Sequence, residues 1–174
     1  ASVMDVHPAD TYAVAWGDYD GDGDLDLASG YFGLGATNYI YINRGGAFTE
    51  TISLPAATGQ TLSLAWGDFD QDHDLDLAVG NQGGPSQVIT NMGGGVFTST
   101  SLPTPTSPCV TDARSVAWGD WDADGDLDLA VGNRSGQGCI QVIEAGKSGN
   151  NWFFTPAWQT TDIGLDVWSV AWGD

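Results

Sequence analysis

This 174-residue chain repeats one stretch of sequence, Val14-Ala-Trp-Gly-Asp-Tyr-Asp-Gly-Asp-Gly-Asp-Leu-Asp-Leu-Ala28. A second copy occupies residues 64–78, a third occupies residues 116–130, and a fourth begins at Val170-Ala-Trp-Gly-Asp174. The copies lie about 50 residues apart, which is a period typical of β-propellers and related repeat arrays. Each copy is therefore expected to open one structural unit of a repeat fold.

The acidic residues are concentrated in these copies. The chain carries 23 Asp and Glu against 4 Lys and Arg, a formal net charge of −19, and 16 of the 23 acids lie within the four copies. Nucleic-acid-binding proteins need clustered Lys and Arg to contact phosphates, so we expect no nucleic-acid partner. The 25 glycines favour tight turns over helices, and no apolar run reaches about 18 residues, which predicts no membrane span.

The sequence between the copies divides into short apolar or β-branched segments separated by glycine-rich turns. Four strands per unit and no helix predict an all-β fold, a β-propeller built of four-stranded antiparallel blades. The predicted limits are residues 12–61 for blade 1, 62–113 for blade 2 and 114–166 for blade 3, with 1–11 as the last strand of a preceding blade and 167–174 as the start of a truncated fourth.

About three and a half blades are fewer than the four to eight that close a propeller. We therefore expect residues 1–174 to form a single region of a larger propeller, with completion of the ring by other copies of the chain as the alternative. The two cysteines, Cys109 and Cys139, fit a disulfide of an exported protein, although two buried free thiols would also explain them.

The first acidic loop places carboxylates at alternate positions of the nine residues from Asp18 to Asp26. Positions one, three and five can turn toward one point, glycine at position six permits a sharp turn, position seven offers its carbonyl, and position nine closes the site. Six to eight oxygen ligands at about 2.3–2.6 Å suit calcium, whereas magnesium requires stricter octahedral geometry. No Cys or His stands at a ligand position, which argues against zinc or copper. The predicted calcium ligands of the three loops are Asp18, Asp20, Asp22, Asp24 and Asp26, then Asp68, Asp70, Asp72, Asp74 and Asp76, then Asp120, Asp122, Asp124, Asp126 and Asp128.

Two other interpretations of the loops fit less well. An EF-hand needs flanking helices and a Glu at position twelve, where this chain has Ser29, Val79 and Val131. A merely solvated acidic loop does not explain three copies at one spacing. The third loop keeps the sixth-position glycine as Gly125, but the second loop has His73 there, and we expect that site to form with weaker binding because a left-handed backbone disfavours a residue with a Cβ.

The sequence from Gly119 to Asn133 resembles the FG-GAP and VCBS repeats of integrin-type β-propellers and of many secreted bacterial proteins. The resemblance covers essentially the whole chain. It implies that the loop between the first two strands of each blade binds calcium structurally. It implies no single function, because members of the family serve in adhesion, in ligand or sugar binding, or as parts of larger exported proteins.

Two sets of aromatic residues recur in the repeats. The first set is expected to pack between blades and consists of Trp16, Trp66, Trp118 and Trp172. The second set stands at loop position two, is expected to cover the ion site, and consists of Tyr19, Phe69 and Trp121. Three tryptophans do not recur, and such residues can stack on sugar rings when exposed; they are Trp152, Trp158 and Trp168.

The sequence thus predicts a non-catalytic, calcium-binding recognition or adhesion module of an exported protein, extracellular or at the cell surface, with a protein or glycan partner. A propeller lectin that binds glycans through the non-recurring tryptophans is the first alternative, and a purely structural or self-assembling scaffold is the second. No Gly-x-Ser-x-Gly or comparable nucleophile pattern occurs, and the paired carboxylates are assigned to ion ligation, so we expect no enzyme.

Overall fold

The structure, a computed structural model, describes residues 10–33, 36–57, 59–107, 109–134, 138–149, 151–160 and 165–173. Within these ranges the chain forms twelve β-strands and no helix. The strands are β1 (Asp10–Gly17), β2 (Asp26–Phe32), β3 (Tyr39–Asn43), β4 (Phe48–Ser53), β5 (Gln60–Gly67), β6 (Asp76–Gln82), β7 (Gln87–Asn91), β8 (Phe97–Ser101), β9 (Ala113–Gly119), β10 (Asp128–Asn133), β11 (Cys139–Ser148) and β12 (Asn151–Gln159). The strand predicted near residues 2–5 lies outside the described residues.

The strands form three four-stranded sheets, in the orders β1-β2-β3-β4, β5-β6-β7-β8 and β9-β10-β11-β12. Neighbouring strands are antiparallel in every sheet. The predicted all-β fold of four-stranded antiparallel units is confirmed. We call these units the first, second and third sheet.

Each acidic loop joins the first two strands of its sheet. In the first sheet Gly17 pairs with Asp26, so the acidic residues between them form the hairpin connection. The corresponding pairs are Gly67 with Asp76 and Gly119 with Asp128. The same register therefore presents the same loop at one end of each sheet.

The hydrophobic core lies between the sheets rather than within any one of them. One buried cluster joins Ala28 and Ile40 of the first sheet to Leu77 and Ile89 of the second. The other joins residues of the second sheet, including Ala78, to those of the third. Because side chains alternate along a strand, β6 supplies both clusters from opposite faces.

The recurring residues Trp66 and Trp118 pack between sheets, as predicted, and Trp172 packs on the third sheet from a segment that forms no strand. Trp66 lies against Gly17 of the first sheet, Trp118 lies against Gly67 of the second, and Trp172 lies against Gly119 of the third. The remaining one, Trp16, is 56% exposed because the described part of the chain places no sheet against that face of β1.

Residues 165–173 cover the outer face of the third sheet without forming a strand. This stretch contains the first residues of the fourth copy, and Asp174 lies outside the described residues. Near the same sheet, Cys109 and Cys139 form a disulfide with a Cα–Cα distance of 5.8 Å. The disulfide ties the connection between the second and third sheets to the start of β11.

Candidate metal centres in the acidic loops

The first aspartate of each loop organises the loop backbone. The Asp18 carboxylate accepts hydrogen bonds from the amide of Asp22 at 3.0 Å and from the amide of Gly23 at 3.0 Å. Asp68 and Asp120 accept the same pair of bonds in the second and third loops. Each loop therefore folds around the side chain at its first position.

Two positions of each loop adopt the left-handed backbone conformation. At position six, Gly23 has φ 93°, Gly125 has φ 94° and His73 has φ 76°, so the conformation predicted for His73 is confirmed. Sequence reasoning missed position four, where Gln71 and Ala123 both have φ 61°. The only signal for it was the glycine at that position of the first loop, Gly21.

The aspartate at position nine ties the loop to the sheet. Asp76 is fully buried; its Oδ2 accepts a hydrogen bond from the amide of Phe69 at 3.1 Å, and its Oδ1 accepts one from the amide of Asn91 at 2.9 Å. Asp26 and Asp128 accept equivalent pairs in their own sheets. These carboxylates therefore hold the loop against the third strand of each sheet.

Burial makes these carboxylates costly to ionise without a nearby cation. It raises the pKa of Asp76 to about 7 and raises the pKa of Asp26 and of Asp128 above the usual range. Burial, reinforced by the neighbouring Asp72, also raises the pKa of Asp70. A bound cation would favour the charged forms and lower each pKa.

Three groups of carboxylate oxygens converge closely enough to hold an ion, with the atoms of each group within 4.8 Å of one another. In two of the loops, one member has a buried oxygen without a hydrogen-bond partner, namely Asp20 Oδ1 and Asp70 Oδ1. A set of hard oxygen donors with unpaired buried atoms fits calcium. The groups are Asp18, Asp20 and Asp22; Asp68, Asp70 and Asp76; and Asp120, Asp122 and Asp128.

The other predicted ligands lie in the loops but make different contacts. At position seven the side chains turn to other partners: Asp24 Oδ2 accepts a hydrogen bond from the amide of Gly45 at 2.6 Å, and Asp126 Oδ1 accepts one from Gln71 Nε2 at 2.9 Å. In the described part of the chain, none of the position-seven carboxylates belongs to a converging group, so the backbone carbonyl is the ligand expected from this position. Asp72 and Asp124 each accept a hydrogen bond from the amide two residues onward, and Asp74 lies in the second loop.

A cationic side chain, that of Arg44, lies against the first loop, and sequence reasoning did not predict this contact. Arg44 Nη1 lies 2.9 Å from Asp20 Oδ2 and 2.5 Å from Asp22 Oδ2. The hydrogen bond that Arg44 donates also contributes to holding the pKa of Asp22 below its usual value, after the larger effect of the Asp24 amide. The equivalent position of the second repeat is Met92, so the comparison of the two turns was the available signal.

The aromatic residues at loop position two differ in their exposure to solvent. Tyr19 and Phe69 are buried between sheets, whereas Trp121 is 47% exposed and contacts Trp158 and Trp172. The third loop is correspondingly the most solvent-exposed of the three. A groove of about 620 Å³ runs beside the first loop, between Asp20 and the Gly93–Gly95 turn of the second sheet.

Two of the three non-recurring tryptophans are exposed. Trp168 is 60% exposed, and its ring lies under the guanidinium groups of Arg114 at 5.7 Å and Arg134 at 4.8 Å. Trp158 is also exposed, whereas Trp152 packs edge-on against Phe69 in the core between the second and third sheets. Trp168 and Trp158 therefore keep exposed ring surface, and Trp158 already stacks on Trp121.

These features define an all-β repeat protein with one structured acidic loop per sheet. A family model for the FG-GAP-like repeat matches residues 18–79 and 69–131, about two thirds of the chain. The chain belongs to the FG-GAP-like repeat family. No curated protein matched it in a sequence comparison. In the part of the chain that the structure describes, no helix is long and apolar enough to cross a membrane.

Proposed function

We propose that the three sheets are blades of a β-propeller and that each acidic loop binds one calcium ion that stabilises the fold. The observation that carries this proposal is a group of three converging carboxylates in each loop, with positions one and three common to all three groups and unpaired buried oxygens at Asp20 and Asp70. Membership of the FG-GAP-like repeat family supports it, since the two matched ranges together contain all three loops.

Carboxylates at positions one and three would supply ligands in every loop, together with position five in the first loop, position nine in the second and third loops, and the carbonyl of position seven. The buried aspartate at position nine would add its charge, either directly or through the loop that it holds. Calcium accepts irregular oxygen shells, which suits a site assembled from the side chains and carbonyls of one hairpin. The ion would offset the mutual repulsion of the carboxylates and so favour the folded loop.

The biological role that we infer is recognition or adhesion by an exported, non-catalytic module. The disulfide supports export, because such bonds persist in oxidising compartments. A glycan-binding variant of this role is favoured by the exposed Trp168, since an aromatic ring flanked by Arg114 and Arg134 can stack on a sugar while the guanidinium groups donate hydrogen bonds. A purely structural scaffold would have calcium as its sole ligand.

Thermal unfolding in calcium, in magnesium and with a chelator tests the ion assignment. Sites that bind calcium with affinities typical of extracellular modules would each add about 0.5–1.5 kcal/mol at millimolar calcium, so Tm should rise by several degrees with calcium alone. Asp70→Asn should remove part of that rise, whereas the matched control Glu50→Gln, outside the loops, should keep it. Equal Tm values under all three conditions would refute the assignment.

Binding to an immobilised glycan set tests the role of Trp168 separately. Trp168→Ala should abolish any glycan binding and leave the calcium-dependent rise in Tm unchanged. Absence of glycan binding by the unmodified protein would reject the glycan role and leave protein recognition and the structural scaffold.

A further inference from the structure

The outer face of β1 is an apolar surface that no sheet covers among the residues that the structure describes. We define the β1 face by Tyr12, Val14 and Trp16, all of which are more than half exposed. Phe32 stacks on Tyr12 and Phe48 stacks on Trp16, which extends the apolar surface across the first sheet. Three large exposed side chains on one strand are unusual for a surface that faces water.

The equivalent faces of β5 and β9 show what such a surface contacts. On β5, the Trp66 indole N–H donates a hydrogen bond to the Ala15 carbonyl of the preceding sheet at 3.2 Å. On β9, Trp118 donates to the Ala65 carbonyl at 3.1 Å, and the Val116 amide donates to Ser63 Oγ at 3.1 Å. Each face therefore sits on the first two strands of the sheet before it.

Residues 165–173 make the same contacts on the third sheet. The Trp172 indole donates to the Ala117 carbonyl at 2.9 Å, and the Val170 amide donates to Ser115 Oγ at 3.1 Å. The sequence Val-Ala-Trp-Gly is shared by residues 14–17 and 170–173. The terminal segment thus occupies the place that the β1 face would occupy on another sheet.

The terminal segment is held more weakly than a strand would be. Residues 165–173 form no strand, and Leu165 and Trp168 on the segment are exposed. An ion pair joins Asp166 to Arg134 at 2.8 Å and is partly exposed. A segment without sheet pairing has a low free-energy cost of local opening.

We propose that the β1 face docks on the β9–β10 face of a second copy of this chain, and that residues 165–173 cover that face until the second copy displaces them. Trp16 would then donate to the partner's Ala117, and the Val14 amide to the partner's Ser115, as Trp172 and Val170 do within one chain. Two copies joined head to tail would bring the three described sheets of each into one ring of six, a number within the range of known propellers.

This inference rests on the proposed function only in treating the sheets as propeller blades. Sedimentation velocity of the full chain, over a range of concentrations in calcium, measures it. The expected result is a concentration-dependent dimer. Trp16→Ala should weaken the dimer by at least about tenfold, since a central tryptophan dominates such interfaces. Phe153→Ala, another exposed aromatic residue but on β12, should leave it unchanged.

Loosening the terminal segment should act in the opposite direction. Trp172→Ala should strengthen the dimer, because it weakens only the competing segment. Asp166→Asn, which removes the ion pair to Arg134, should do the same with less risk to folding. If Trp16 and Trp172 only stabilised the fold, their substitutions would not change the affinity of the dimer in opposite directions.

Three results overturn the inference: a chain that stays monomeric at all concentrations, a dimer that Trp16→Ala does not weaken, and a dimer that Asp166→Asn weakens. A strictly monomeric protein would assign the β1 face to other repeats of a longer chain. The Tm of each variant, measured with calcium and with chelator, keeps this outcome separate from the calcium assignment. A monomer stabilised by calcium would reject the docking alone.

Discussion

The indole N–H of Trp66 donates a hydrogen bond to the carbonyl oxygen of Ala15 across the boundary between the first and second sheets. The same bond joins Trp118 to Ala65 and Trp172 to Ala117. The tryptophan is thus the residue by which each repeat attaches to its predecessor. A glycine must lie beneath the ring, because the two backbones approach closely at this point.

Gly67→Ala tests that close approach. A Cβ at position 67 would lie 2.6 Å from Trp118 Cδ1, so the ring or the sheet must shift. The expected loss is about 1–3 kcal/mol of unfolding free energy, measured by chemical denaturation. Gly173→Ala is the matched control, because no atom lies within 4 Å of its added Cβ, and it should be neutral. Equal effects of the two substitutions would contradict the packing explanation.

His73→Gly tests the strain at position six of the second loop. His73 has φ 76°, and its side chain is almost completely exposed, so the substitution relieves a left-handed conformation and removes little packing. We expect the unfolding free energy to rise by about 0.5–1 kcal/mol. The reverse change in the third loop, Gly125→Ala at φ 94°, should lower it by a similar amount. A lower Tm for His73→Gly would show that the imidazole supports the loop.

The sequence predicted the fold class, the four-stranded units and the acidic hairpins, because these depend on local patterns repeated three times. The packing role of the recurring tryptophans was also predictable from their period. The exposure of Trp16 and the cover formed by residues 165–173 follow from which sheet lies beside which, and the residue pattern of one repeat does not encode that order.

The details of the site were less accessible from the sequence. Asp24 and Asp26 occur in the same alternating pattern as Asp18. However, Asp24 accepts a hydrogen bond from a neighbouring turn, and Asp26 accepts one from the end of β3. These differences arise from contacts with residues about 20 positions away, which spacing alone cannot show. The Arg44 contact has the same origin, because a separate turn brings it to the loop.

Removal of the disulfide should destabilise the protein. The bond between Cys109 and Cys139 closes a loop with a sequence separation of 30 residues, for which chain entropy predicts a contribution of about 3–4 kcal/mol. The double substitution Cys109→Ala with Cys139→Ala should therefore lower the denaturation midpoint. A reducing agent should lower the midpoint of the unmodified protein and leave that of the double variant unchanged. If the reducing agent lowered the midpoint of both proteins equally, its effect would not come from the disulfide.

Arg44→Met tests whether the guanidinium competes with calcium in the first loop. Methionine is the residue at the equivalent position of the second repeat, Met92, so the change gives the two turns the same residue there. Arg44 pairs with Asp20 and Asp22, which are two of the proposed ligands, and an ion must share or displace those contacts. Without calcium, the variant should be less stable because the carboxylates repel one another.

With calcium, Arg44→Met should bind the ion at the first loop about 3- to 10-fold more tightly, a factor corresponding to the loss of one or two exposed ion pairs. Titration calorimetry against a chelator measures this change. Lys147→Met is the matched control, since Lys147 lies over Trp152 and contacts no acidic loop in the described residues. Weaker binding by Arg44→Met would mean that the guanidinium positions the carboxylates for the ion and does not compete with it.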